Sequence, residues 1–206
     1  VYADMPVYTD FRELLERKDV DAVVISTPDH WHAAMAVRSA AAGKDIYCEK
    51  PLSLTVKEGR AMVQAARKYD RVFQTGSMQR SWNEFRQAAE LVRNGTIGEI
   101  KHIKVNVGPA PIVYDLPAEP MPQGLDWSKW LGPNEFANFN AELAPPITKD
   151  VFPNWRKYRE FGGGGVTDWG AHMYDIVQWA LDMDDTGPVE VIAPDGKDNL
   201  YLTYRY

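Results

Sequence analysis

Three groups of residues in this 206-residue chain have the types and spacing that chemistry needs. The first is Glu49-Lys50-Pro51, directly behind a short apolar run. A lysine at the carboxyl end of a buried strand is held by a rigid element and aimed into the crevice where open α/β sheets bind their ligands. Pro51 biases Lys50 toward an extended backbone. A surface Glu-Lys pair is the plain alternative. The second group is Asp168 and His172, four residues apart, with Asp175 three further on. On a helix that spacing puts all three on one face. A carboxylate beside an imidazole orients it and stabilises its charged form, as a general base requires. An N-cap aspartate beside a packed histidine accounts for the same pattern. As a metal site the trio lacks a fourth ligand, and no metal is assigned. The third group is the run 27–32, Thr-Pro-Asp-His-Trp-His, between a strand end and a helix start, where an anionic cofactor group would be welcome. His30 and His32 form an isolated H-x-H, for which capping or cofactor contact is a better account than a metal pair.

These groups need elements to hold them. An apolar run at 22–26 reads as a strand buried on both faces. A helix follows over 31–42, with Gly43 at its C-terminal cap position. A strand at 45–48, a helix opened by a Thr55–Glu58 capping box, and a strand at 72–75 complete the alternation expected of parallel βαβ units. Ser81-Trp82-Asn83-Glu84 reads as another capping box, with a helix ending at Asn94-Gly95. Residues 100–107 alternate apolar and polar, the pattern of a half-exposed strand in an antiparallel sheet. The domain boundary falls near Met78, dividing the chain into 1–78 and 79–206. Residues 108–161 show no sustained period, as in a connection over a site. Gly162 to Gly165 allow close approach by a ligand, and a helix runs from 169 to 181. Strand-like segments end the chain, the last at 200–206. No internal repeat, low-complexity segment or G-x-G-x-x-G is present.

The net charge of −6 disfavours nucleic acid as a partner, and no apolar run has the length of a membrane span, so no membrane partner is expected. A single cysteine, Cys48, excludes an intrachain disulfide. The chain opens on Val1 without a signal segment. An export signal would lie upstream, which leaves cytoplasm and periplasm both open.

The segments DAVVISTPDHWHAAMAVRSAAAGKDIYCEKPLSLTVKEG, GLDWSKWLGP and GGGGVTDWGAHMYDIVQW, in this order, resemble the glucose–fructose oxidoreductase, inositol dehydrogenase and rhizopine catabolism family (Gfo/Idh/MocA). The resemblance implies an α/β fold: a partial Rossmann-type parallel sheet, then an α+β domain with a mainly antiparallel open sheet that serves oligomer formation. It implies an NAD- or NADP-dependent oxidoreductase acting on a carbinol of a sugar, polyol or cyclitol, homo-oligomeric in the intact parent. By the same resemblance Lys50 hydrogen-bonds the reacting hydroxyl and helps place the nicotinamide. His172 accepts the hydroxyl proton, supported by Asp168. Thr27, Pro28, His32 and Glu49 line the cofactor, and Gln79, Trp155 and Arg156 reach the nicotinamide end or the substrate. The first strand, its glycine-rich turn and the last strands of the second sheet are missing from the pattern, so the chain reads as an interior piece. Its own cofactor binding is then expected to be poor. An NAD-dependent glycosidase or lyase, or a non-catalytic binding protein, would use the same scaffold.

Overall fold

The computed structural model describes residues 5–146, 148–197 and 201–206. In chain order the elements are α1 (Phe11–Leu15), β1 (Ala22–Ile25), α2 (Asp29–Ala41), β2 (Asp45–Cys48), α3 (Val56–Lys68), β3 (Phe73–Thr75), α4 (Asn83–Arg93), α5 (Trp127–Leu131), α6 (Gly164–Asp168), α7 (Gly170–Ala180), β4 (Glu190–Ile192) and β5 (Thr203–Arg205). Short 3-10 turns occupy Met78–Ser81 and Asn154–Lys157. Two compact units divide the chain: Val1–Ser77 with Val107–Ala171, and Met78–Asn106 with His172–Tyr206.

In the first unit β1, β2 and β3 form a parallel sheet in that order, with Val23 beside Ile46 and Ile25 beside Cys48. Parallel neighbours need crossovers, and α2 and α3 supply them. Both pack on one face of the sheet, where Ala33, Ala36 and Ala40 of α2 and Met62 and Ala65 of α3 meet Ile25, Ile46 and Cys48. The alanine stripe lets α2 sit close to the strands. On α3 the expected capping box is present, with Thr55 and Glu58 each satisfying the other's backbone N–H. Gly43 follows α2 at φ +78°, a conformation that costs glycine little.

The expectation that the first strand is buried on both faces is corrected. Val24, on the face away from the helices, is 71 % exposed. The apolar run reflects a parallel strand's composition, but helices cover only one side of it among the described residues.

Segment 107–171 is organised by side chains. Trp127 and Trp130 stack at 4.6 Å, and Phe139, Leu143, Trp155, Tyr158 and Phe161 complete a second core. This core joins the sheet layer through α2. The His30 ring lies 5.1 Å from that of Trp130 and 5.5 Å from that of Phe161. The Trp130 carbonyl accepts from Trp31 Nε1 at 3.0 Å and lies 2.9 Å from His30 Nε2, which must carry a proton to bond it.

Helix α6 begins at Gly164, earlier than the expected 169, and Trp169 keeps a right-handed helical backbone into α7. The four glycines read as a loop because glycine disfavours helix. Packing overrides that: a Cβ on Gly164 would lie 2.6 Å from Pro111 N, and one on Gly165 2.4 Å from Val107 O. At Gly164 and Gly165 a close approach is made by the protein's own 107–111 backbone.

In the second unit α4 starts at Asn83 behind Trp82, which makes no side-chain cap bond, so the expected Ser81 capping box is not formed. Residues 100–107 carry no ladder, although their alternation suggested a strand. Alternation selects one face, and a strand also needs a partner edge, which no described residue offers here. β4 and β5 pair antiparallel, Glu190 opposite Arg205. Of the expected strand at 200–206, Leu200 lies outside the described residues. Arg80 binds Asp175 through Nε and Nη2, both at 2.8 Å, and also reaches Asp184 at 2.7 Å. No described helix is long and apolar enough to cross a membrane.

Candidate active site

The carboxyl ends of β1 and β2 lie side by side, and the residues after them build one rim. Thr27 and Pro28 follow β1, and Pro28 occupies the position before α2 without a side-chain cap bond. Glu49, Lys50 and Pro51 follow β2, with Glu49 Oε2 3.2 Å from the Lys50 backbone N–H. His32, one turn into α2 and 1 % exposed, ties the two loops together. Its Nδ1 lies 2.8 Å from Pro51 O and its Nε2 2.9 Å from Thr27 O. Burial holds the ring's pKa below its ordinary value, although both carbonyls favour the protonated form.

Lys50 Nζ donates to Asp168 Oδ1 at 2.5 Å and to the Asp168 carbonyl at 3.0 Å, across 118 residues of sequence. The two side chains keep only 20 % and 13 % of their exposure, so solvent screens the pair weakly. Arg156, from the 3-10 turn Asn154–Lys157, brings its Nε to 3.7 Å from the same carboxylate oxygen. Its guanidinium is sandwiched between Phe152 and Trp155, with ring centroids at 4.0 and 4.1 Å. Trp155 itself is buried in the aromatic core and anchors that sandwich.

The sequence reading assigned Asp29 no role, yet it belongs to this cluster. It is the first residue of α2, and 4 % exposed. A helix N-terminus favours an ionised carboxylate. Burial opposes ionisation more strongly, and the charge of Asp168 adds to that. Together they push the carboxyl up to about 8, against weaker pulls from Arg156 and Lys50. An acidic residue directly behind a proline at a strand's carboxyl end was the available signal. Its burial depends on contacts that no local pattern records.

Beside Asp168 and Arg156 opens a cleft of about 440 Å³, bordered also by Phe152, Pro153, Gly165 and Trp169. All of these groups belong to the first unit. His172 and Gln79 belong to the second, where His172 is 8 % exposed. Asp175, grouped with Asp168 and His172 by spacing, is engaged by Arg80. Among the described residues no cluster of three His, Cys, Asp or Glu side chains could hold a metal ion.

The rim suits a dinucleotide. It stands at the carboxyl ends of parallel strands, and Thr27 Oγ1 is buried there without a partner among the described residues. A bound polar group would satisfy that hydroxyl.

Residues 2–77 match the family described as an oxidoreductase family with an NAD-binding Rossmann fold, and residues 111–205 match its C-terminal alpha/beta domain. The chain is 34% identical over 110 residues to myo-inositol 2-dehydrogenase of Thermotoga maritima, covering 52% of this chain and 33% of that protein. It is 38% identical over 117 residues to glycosyl hydrolase family 109 protein 1 of Shewanella sp. (strain ANA-3), covering 53% and 24%. Among solved structures, the oxidoreductase domain protein from Kribbella flavida superposes with a TM-score of 0.52 at 28% identity, over 84% of this chain and 38% of that one. These alignments take in about a third or less of the length of the curated relatives. Two family domains matched in order, on a three-stranded parallel sheet followed by an antiparallel pair, establish that the chain belongs to the Gfo/Idh/MocA oxidoreductases and that its first domain is an NAD-binding Rossmann domain.

Proposed function

We propose that this chain carries the reacting-group machinery of an NAD(P)-dependent dehydrogenase that acts on a CH–OH carbon of a sugar, polyol or cyclitol. The observation that carries the reading is the Lys50–Asp168 pair at the carboxyl end of β2. An ammonium held this way cannot swing into solvent, so its remaining N–H is available to an oxygen that gains negative charge. Bound NAD(P) supplies the hydride acceptor. Thr27, Pro28, His32 and Glu49 are assigned to hold or shape its site, and Gln79, Trp155 and Arg156 to its nicotinamide end or the substrate. A ring nitrogen of His172 takes the hydroxyl proton. The O–H electron pair becomes the second bond of the carbonyl, and the C–H pair leaves as hydride. Lys50 steadies the oxygen meanwhile, and Asp168 keeps Lys50 in place.

The test uses the full-length gene product. His172→Ala and Lys50→Met should each lower turnover by about 10²–10⁴-fold, and His172→Ala should leave cofactor affinity within a few-fold, read by fluorescence titration. Near-normal turnover in either variant removes that residue's role. A second reading, transient oxidation followed by glycoside cleavage, is favoured by the similarity to a glycosyl hydrolase family 109 protein. Net NADH formation with a free sugar supports the dehydrogenase. Cleavage of a glycoside without net reduction supports the hydrolase.

A further inference from the structure

Around Asp168 the charges do not pair off one to one. Lys50 and Asp168 neutralise one another at 2.5 Å. Asp29, buried beside them, keeps its proton to about pH 8. Arg156 is left over. Its nearest carboxylate oxygen is 3.7 Å from Nε, too far for a good hydrogen bond, and that oxygen is already taken by Lys50. Among the described residues the guanidinium makes one hydrogen bond, from Nη1 to Pro153 O at 3.3 Å. A guanidinium has five donors in a fixed plane. Here Phe152 and Trp155 cover the two faces of that plane, at 4.0 and 4.1 Å, so any further partner must approach its edge. Arg156 also lines the cleft that Asp168 borders.

A half-buried cation with unused donors at the border of a cleft suits an anion of matching geometry. A hydroxyl can accept one of these hydrogen bonds but leaves the charge unmatched. A carboxylate accepts two in parallel and cancels it. Phosphate has the right charge too, but of the other donors that line the cleft Lys157 is already paired with Glu142 at 3.7 Å, which leaves Asn154, while Phe152 at 71 % exposure and Trp169 at 59 % offer ring faces. Such faces suit the C–H side of a sugar ring.

We infer that Arg156 binds the carboxylate of the substrate, and that the carbinol chemistry proposed above is directed to sugar acids in preference to neutral sugars. The inference rests on that functional reading, and the experiment separates the two. With the full-length gene product and NAD(P), D-glucuronate is compared with D-glucose, and D-galacturonate with D-galactose. The acid of at least one pair should be favoured by about ten-fold or more in kcat/KM, as a bidentate charged contact allows. Arg156→Gln should bring that ratio to near one, chiefly through KM. Arg156→Lys keeps the charge without the fork and should retain only part of the preference. Equal turnover of acid and neutral partner, or a preference that survives Arg156→Gln, overturns the inference and leaves carbinol oxidation standing. If no sugar is oxidised, the dehydrogenase reading fails. Calorimetric titration of the cofactor-loaded protein then decides the inference alone. Glucuronate-selective binding that is lost in Arg156→Gln upholds it. Equal binding of glucuronate and glucose, or binding of neither, overturns it.

Discussion

The sheet layer and the 107–171 segment of the first unit solve the same problem by different means. In the sheet layer the backbone does the organising: ladders fix the register of β1, β2 and β3, and small residues let α2 and α3 lie flat on them. In segment 107–171 there is little regular backbone, and interlocked rings fix the chain instead. The candidate site takes Lys50 and Asp29 from the first and Asp168 and Arg156 from the second. A ladder tolerates the loss of one side chain, because neighbouring hydrogen bonds persist. A ring cluster does not, because each ring is the wall of the next.

The hardest blow to that comparison would be struck in the ring cluster. Phe161 is 1 % exposed and contacts His30, Tyr114 and Trp130. Phe161→Ala should destabilise the protein by about 3–5 kcal/mol. Turnover should fall further than stability alone explains, since Arg156 and α6 flank the same cluster. Unfolding by urea, read together with kcat, checks this, and a loss below about 1 kcal/mol would show that rings are not the framework there.

Asp29 sharpens the comparison at the seam between the two layers. Its folded pKa, about 8, lies above the value near 3.8 of a free carboxyl. The folded state therefore binds more protons than the unfolded one between these values, and stability falls as pH rises from about 4 to about 8. Asp29→Asn should remove that slope. It should match the parent near pH 4 and exceed it by a few kcal/mol, in order of magnitude, above pH 8. Thermal melts across this range decide the matter, and parallel pH profiles for parent and variant would place the proton elsewhere.

The smallest effect is expected in the sheet layer. Thr55→Ala removes one half of the α3 capping box and should cost about 1 kcal/mol with no change in turnover. A change in turnover would mean that α3 influences the site, against the view that ladders insulate it.

The same contrast explains what the sequence disclosed. Strands β1 to β3 and the Thr55 box were readable because β-branched runs, caps and glycine stops act within a few residues. Helix α6 was not, because Gly164 and Gly165 become helical only where the 107–111 backbone closes on them. The alternation at 100–107 was read correctly as a pattern and wrongly as a strand, since pairing needs a neighbour. Lys50 was singled out by its place after a strand and Asp168 by its spacing to His172, and the family resemblance gave them roles. That Asp29 keeps a proton, and that Arg156 is left without a carboxylate of its own, depend on burial and on who else holds Asp168. Both are properties of the assembled fold.

His32 has a consequence for which substitutions this rim can accept. Its two nitrogens face carbonyls of different loops, at 2.8 and 2.9 Å. An uncharged imidazole has one proton to offer, so it bonds one carbonyl at a time and the tautomer chooses which. The choice is a binary variable stored in a single proton, and no other uncharged side chain can store it. Asparagine and glutamine place both donor hydrogens on one nitrogen, and serine and threonine offer a single oxygen. A substitution at this position therefore gives up the choice between the two loops, whatever its size.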